Sequence, residues 1–384
     1  MPEEIKKTII KKLNIPTDKR LIFVSDMHGD LVTFKKGLEE INYSADDYLF
    51  VIGDMIEKGD PGENLKMLDF VIALSHNENV YMMSGNCDEV FRFILPEEAH
   101  KATLYYVNTR KLSVLNDILE KENFRLDTED DVKVFKEILL TKYKKYYDFM
   151  DSLTDVIFIN DKIVLVHGGI DDLNNIPEYA LPMLKYDNFY NLASNKEMIM
   201  IVGHNPTRNY RLDVSCVNPI FDFKKNIFSI DGGNHVVKGG QINFVMIDNL
   251  CDMNISFHAI DHYEKYVMKD DVIYKNANGV NITFGNNEIE IVDQDLDFYL
   301  VKHVKTDTIM WVHKSFVYYD KTKNKYYSYD GTNQFISVSK GDVISVVKRG
   351  EPYSLIKKDG LIGMIDSRYI KKWFLNIKFY MNQI

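Results

Sequence analysis

Short apolar runs of four to seven residues recur along the first two-thirds of this chain, nearly all closed by Gly, Asn, Asp or Ser. They fall at residues 21–25, 48–53, 80–84, 156–159, 162–166, 198–203, 227–230 and 242–248. Their length and β-branched content predict strands. Between the first of them, apolar positions return at helical spacing over 31–41 and 63–76, which predicts helices. Strand and helix in alternation imply a layered α/β fold whose functional loops leave the ends of strands.

The pattern then changes twice. A helical insertion is expected over about 97–153. Thr128 is its clearest N-cap, followed by acidic residues and an apolar stripe of Val132, Phe135, Ile138, Leu139, Tyr143, Tyr146 and Met150. Such a stripe reads as a helix packed on the sheet; the alternative is a cap that selects substrates. From about 256 the chain becomes rich in Tyr, Val, Ile and Lys, with Gly- and Asn-containing turns. We therefore expect a first domain over 1–255 and an all-β accessory domain over 256–384.

Composition narrows the functional classes. The chain has 384 residues, 47 basic and 57 acidic, for a net charge of −10. A coat of Lys and Arg for nucleic-acid phosphates is absent, which makes nucleic acid an unlikely partner. Lys142, Lys144 and Lys145 read as the solvated face of a helix. Three cysteines, Cys87, Cys216 and Cys251, make no even disulfide framework, so a reduced, cytoplasmic setting is expected. The first thirteen residues mix charges with apolar positions at helical spacing and lack a signal peptide's apolar stretch. No apolar run is long enough to span a membrane.

Five motifs carry the chemistry. They are S-D-M-H-G at 25–29, G-D-M-I-E-K-G at 53–59, G-N-C-D at 85–88, V-H-G-G at 166–169 and G-H-N-P at 203–206. Each begins at the end of an expected strand. Asp26 and His28, two apart in an extended chain, would point the same way. Asp54 has two oxygens and can bridge two ions about 3.5–4 Å apart. Asn86 offers a neutral oxygen; His167 and His204 offer nitrogens. This donor set suits Mn, Fe or Zn without a thiolate site. Two divalent ions less two carboxylates leave about +2, which attracts a phosphoryl group. Singly, each motif is an ordinary surface loop; jointly and in order they imply a metal site.

These motifs resemble those of the calcineurin-like metallophosphoesterases, in particular the bacterial serine/threonine protein-phosphatase-like branch. That pattern runs G-D-x-H-G, G-D-x-x-D-R-G, G-N-H-D/E, V-H-G-G and G-H-T-P, with a late I-D-x-G strand pair. The late pair appears here as I-D-G-G-N-H-V-V-K-G-G-Q-I-N, residues 230–243. The resemblance covers about residues 20–250. It implies a four-layer α/β/β/α sandwich with a second, smaller all-β domain. It implies one metal on Asp26, His28 and Asp54 and a second on Asp54, Asn86, His167 and His204, with Mn the first choice. The implied reaction is hydrolysis of a phosphate monoester by in-line attack of a metal-bridging hydroxide, on a phosphorylated protein or a small phosphate ester.

Three positions depart from the pattern. Cys87 stands where the family has its catalytic His, and a thiol is a weak hydrogen-bond donor. Glu57-Lys58-Gly59 replaces D-R-G, so Lys58 would meet phosphate as a point charge without a bidentate fork. Asn205 replaces Thr. Asp88 would then orient a proton-supplying water, and Arg92, Arg208 and His235 are candidate substrate contacts. The departures keep open a phosphodiesterase or nucleotide hydrolase, and an inactive phosphate-binding or interaction module. The C-terminal stretch resembles a bacterial Src-homology-type small β-barrel over about 300–373. Its aromatics, Trp311, Tyr318, Tyr319, Tyr353 and Trp373, would line a groove for a ligand or protein or fill a barrel core.

Overall fold

The structure, a computed structural model, describes residues 6–94, 96–275 and 279–370. Two compact units emerge: the chain to Arg211 with Cys216–His262, and Leu212–Ser215 with Tyr263 onward.

Among the described residues, the first unit has eleven strands: β1 (Ile10–Leu13), β2 (Leu21–Val24), β3 (Tyr48–Ile52), β4 (Val80–Met83), β5 (Val156–Ile159), β6 (Ile163–Val166), β7 (Ile199–Val202), β8 (Ile220–Asp222), β9 (Ile227–Ser229), β10 (Ile242–Ile247) and β11 (Ile255–Ile260). They form a six-stranded sheet, β1-β5-β6-β7-β9-β8, and a five-stranded sheet, β11-β10-β2-β3-β4. The inner strands β2, β3 and β4 run parallel, as do β6, β7 and β9. Parallel pairing needs crossovers, which here are helices or long loops.

Both sheets are buried on both faces, which explains why their strands read as unbroken apolar runs. Leu21, Phe23, Phe50 and Ile52 meet Ile157, Leu165, Ile201 and Phe228 between the sheets. The five-stranded sheet's other face carries Ile22, Val24, Leu49 and Val51 against helices α1 (Leu31–Glu40) and α2 (Glu63–Leu74) and the insertion. Val164, Val166, Met200 and Val202 face Met183, Leu184 and Phe189 from the short helices Leu181–Leu184 and Phe189–Leu192. The result is the expected four-layer α/β/β/α sandwich.

A short helix, α3 (Val90–Phe93), precedes the insertion, whose described residues form α4 (His100–Thr109), α5 (Val114–Lys121), α6 (Glu129–Lys142) and α7 (Lys144–Ser152). Thr128 caps α6 in a capping box with Asp131. The apolar stripe is not one helix, because the chain breaks at Tyr143 (φ −111°, ψ 13°) and restarts as α7. Lys142, Lys144 and Lys145 pair on the surface with Glu122, Asp148 and Asp69.

The N-terminal segment was read at helical spacing but forms the edge strand β1, parallel to β5. Its burial alternates little; pairing with a sheet edge decides the conformation. Lys6 then anchors it. Its Nζ reaches Ser84 Oγ (2.9 Å), the Leu153 carbonyl (2.5 Å) and Asp155 Oδ1 (3.0 Å). Asp155 is fully buried and also accepts from the Ile9 amide.

The second unit is all β. Glu264–Val267, Val343–Lys348, Tyr353–Lys358 and Leu361–Asp366 form a four-stranded antiparallel sheet. Glu288–Gln294, Phe298–His303, Thr308–His313, Val317–Asp320 and Lys325–Ser328 form a five-stranded one. The barrel expected over 300–373 therefore spans strands of two different sheets. Tyr318 and Tyr319 sit on a hairpin, where Tyr318 stacks on Tyr327 and Tyr319 packs tilted against Tyr326, while Tyr353 packs edge-on against Phe298. Trp373 lies outside the described residues. Residues 256–260, assigned to the accessory domain by the sequence, belong to β11 in the first unit.

Removing one partner of a buried ion pair strands the other charge, at about 3–5 kcal/mol. Asp155→Ala should lower unfolding stability by that amount, read from the urea midpoint at unchanged m-value.

Candidate metal centre

Six side chains from the five motifs leave the ends of five strands. Asp26 and His28 follow β2, Asp54 follows β3 and Asn86 follows β4; His167 follows β6 and His204 follows β7. One sheet thus supplies four of them and the other sheet two. Asp26 (φ 58°), His28 (φ 48°), Asp54 (φ 50°) and His204 (φ 69°) all lie in the left-handed region, a strained conformation for such residues. Asp26 and His28 are therefore not the extended pair the spacing suggested. They converge because the backbone turns back twice.

Glycines make the approach possible. Gly85 packs so closely that a Cβ there would lie 2.1 Å from the Asp54 amide and 2.2 Å from its Oδ1. A Cβ on Gly203 would lie 1.8 Å from Ser25 Oγ and 2.4 Å from Asp26 Oδ2.

The geometry brings Asp26, Asp54 and His167 into one donor group, and His28, Asp54 and Cys87 into another that shares Asp54. His28 Nε2 is 3.8 Å from both Asp26 Oδ1 and Asp54 Oδ2, and His167 Nε2 is 3.3 Å from Asp54 Oδ1. Each histidine is oriented from behind: His28 Nδ1 sits 3.3 Å from the Ile56 carbonyl and His167 Nδ1 2.8 Å from that of Ile52. A carbonyl can only accept, so Nδ1 carries the proton and Nε2 is turned inward. His204 stands beside them, its ring 5.3 Å from that of His167. Its amide donates to Asp26 Oδ2 at 3.0 Å, while its Nε2 faces Asp187 at 2.9 Å.

These groups are almost without water. Asp26, His28, Asp54 and His167 are each 2% exposed or less. Asp26 Oδ1, Asn86 Oδ1 and His167 Nε2 are buried with no hydrogen-bond partner, a costly condition that a cation relieves. The charges report the same deficit. Burial pushes the Asp26 carboxyl up to about 6. Burial also lowers His28, which with the Lys58 ammonium nearby falls to about 3. Burial alone would lower His167 too, but the Asp54 and Asp26 carboxylates outweigh it and push it up to about 10. The donor set of carboxylate, imidazole and amide fits divalent ions such as Mn, Fe or Zn, and Cys87 adds one softer donor within reach.

The remaining sequence candidates divide. Lys58 Nζ is 3.2 Å from His28 Nε2, inside the pocket. Asp88 Oδ1 accepts from the Met55 amide (3.0 Å) and Oδ2 from the Gly85 amide (2.8 Å), tying the Asn86 loop to the Asp54 loop. Burial, and then the Asp54 charge, push its carboxyl up to about 7. Burial pushes the Cys87 thiol well above its usual range. Arg92 is held by Glu89 (2.9 Å) and by Asp151. Arg208 is 2% exposed, a core residue of the loop after His204. His235 packs instead against His262 and Asp30.

Three contributors went unread in the sequence. Asp231 is fully buried, has an unpartnered Oδ2 and lies near enough for the Asp26 charge to raise it further. The I-D-G-G string contained that signal. Glu57 accepts from Tyr106, Ser113 and the Val114 amide, joining the insertion to the Lys58 loop. Asp187 faces His204 from a segment with no motif. A cavity of about 330 Å³ also opens at Asn86 and Cys87, lined by Val90, Phe93, Ile94 and Tyr106, with Arg110 and Lys185 also on its walls.

The profile of the calcineurin-like phosphoesterase family matches residues 19–231. No curated protein sequence matches the chain significantly. Among solved structures, the chain is similar to a protein assigned as a diadenosine tetraphosphatase, at 14% identity and a TM-score of 0.41, over 66% of this chain and 98% of that one. It is also similar to a serine/threonine phosphatase from Saccharomyces cerevisiae with similarity to human phosphatase PP5, at 12% identity and a TM-score of 0.40, over 67% and 85%. A third, the phosphoesterase Yfce from E. coli, has 17% identity and a TM-score of 0.27, over 63% and 100%.

Gly85→Ala drives a methyl into Asp54. It should weaken Mn²⁺ binding by about 10–100-fold while leaving far-UV circular dichroism unchanged, as measured by calorimetric titration.

Proposed function

We propose that this chain, which belongs to the calcineurin-like phosphoesterase family, hydrolyses phosphate monoesters of proteins or small molecules at the centre formed by the five loops. The observation that carries the reading is the set of buried, unpartnered donors in the strand-end loops, Asp26 Oδ1, Asn86 Oδ1 and His167 Nε2, with Asp26 and His167 gathered around Asp54. Asp26, His28 and Asp54 would hold one divalent ion, and Asp54, Asn86, His167 and His204 a second, with Mn preferred over Fe or Zn. Ions bound there supply Lewis acidity, offsetting charge on the phosphoryl oxygens and acidifying the attacking water.

The chain's own residues do the rest. Burial would lower Lys58, but Cys87, Asp54, Asp26 and Asp231 around it overcome that and raise it. It stays an ammonium, placed to hold a phosphoryl oxygen as a point charge. The Ile52 and Ile56 carbonyls fix the imidazoles, and Asp88 acts through the backbone as a positioning residue. Cys87, a weak hydrogen-bond donor, leaves protonation of the departing oxygen to solvent. That predicts slow turnover on esters with poor leaving groups.

A phosphodiesterase is the second reading. It is favoured by Cys87 in the acid's place and by the cavity at Asn86 and Cys87, which has room for a second ester group. A module that binds phosphate without turnover is the reading from another class.

Asp54→Asn should lower kcat/KM on an aryl phosphate by on the order of 100-fold with Mn²⁺, together with a fall in bound metal. Full metal loading with no hydrolysis of any ester would favour the binding module. Cys87→His should raise monoester turnover relative to an aryl diester in a paired assay. A wild-type preference for the diester that survives this change would establish the second reading.

A further inference from the structure

Beyond that pocket, the described residues hold another gathering of metal-donor side chains, Asp30, His235 and His262. Asp30 opens α1, and its Oδ1 accepts from the Thr33 amide at 3.1 Å as an N-cap. Its other oxygen, Oδ2, faces His235 Nε2 at 3.5 Å and His262 Nδ1 at 3.4 Å. The two rings stack, 5.1 Å between centroids and 22° between planes, so both nitrogens approach the same oxygen. We propose that Asp30, His235 and His262 form a separate site for one borderline divalent cation such as zinc or cobalt.

Both contacts are at ion-pairing distance, and the same spacing suits coordination. Tetrahedral coordination with bonds of about 2.0–2.1 Å sets neighbouring donors about 3.4 Å apart, which both contacts meet. Two imidazoles and one carboxylate oxygen, with water in the fourth position, is a donor set zinc accepts. An entry path exists, since the His262 side chain is 39% exposed while that of Asp30 is 9%.

The backbone supports the assignment. His235 has φ 56°, a left-handed position occupied by a non-glycine in a glycine-rich turn. The preceding Asn234 donates Nδ2 to the Met27 carbonyl at 3.0 Å and to Asp30 Oδ2 at 3.3 Å. The late turn is thereby fixed against the loop that leads into α1. An ion here clips together positions 30, 235 and 262. It uses none of the donors of the principal centre, so the inference stands apart from the phosphoesterase reading.

The test counts cobalt ions per chain by elemental analysis after loading and desalting, with the visible ligand-field spectrum recorded on the same sample. Wild type should hold one more ion than His262→Ala, and the variant should lose the intense tetrahedral bands. His262→Cys keeps a ligand and should keep the ion. The His262-dependent ion should also persist in the Asp54→Asn background, where the principal centre is impaired. Equal ion counts and identical spectra for wild type and His262→Ala would overturn the proposal.

Discussion

Charge buried without water is the constraint on which this molecule is organised. Asp26, Asp54, Asp88 and Asp231 sit at 2% exposure or less around one point. Holding any such carboxyl in its charged form costs several kcal/mol unless it is compensated. The protein's own compensation is Lys58, His167 and a set of backbone amides from Met55, Gly85, Cys87, His204 and Gly233. Those amides come into reach only because the loops adopt left-handed turns and because glycines let strands nearly touch. The strain at Asp26, His28, Asp54 and His204 is thus the geometric counterpart of the electrostatics. Two sheets, rather than one, are required because no single sheet edge presents donors from both sides of the point.

Much of this was legible in the residues. Burial of both sheet faces makes the strands appear as continuous apolar runs, so nearly all central strands fall where the pattern put them. The glycine beside each donor marked the loops. What escaped had physical reasons. β1 is rich in Lys and exposed at an edge, so its identity comes from pairing with β5 and from Lys6, not from its own periodicity. Helix α6 was expected to run on through Tyr143, because the stripe stays in phase across the break.

At the site, spacing located the donors but not their conformations. Asp88 illustrates the difference. A carboxylate next to a Cys in a metal loop looks chemical in a sequence, yet both its oxygens are taken by amides. Asp187 could not be found from sequence at all, since nothing local distinguishes it from a surface Asp until His204 is folded against it. The accessory region was legible as β structure from its residue types, but how its strands divide between sheets was not, because similar apolar alternation serves either pairing.

The insertion enters the fold between Asn86 and Thr154, and both of its ends are held at one spot. The Ser84 amide bonds the Thr154 carbonyl at 3.0 Å, and Ser84 Oγ bonds Asp155 at 2.7 Å. Met83 and Thr154 also pair in a parallel bridge at the same place. The chain therefore leaves the five-stranded sheet and joins the six-stranded one at a single knot, and the helices between close on themselves as a loop whose ends already meet. Their apolar faces then cover the sheet they departed from, so the excursion serves as a roof on its own point of origin.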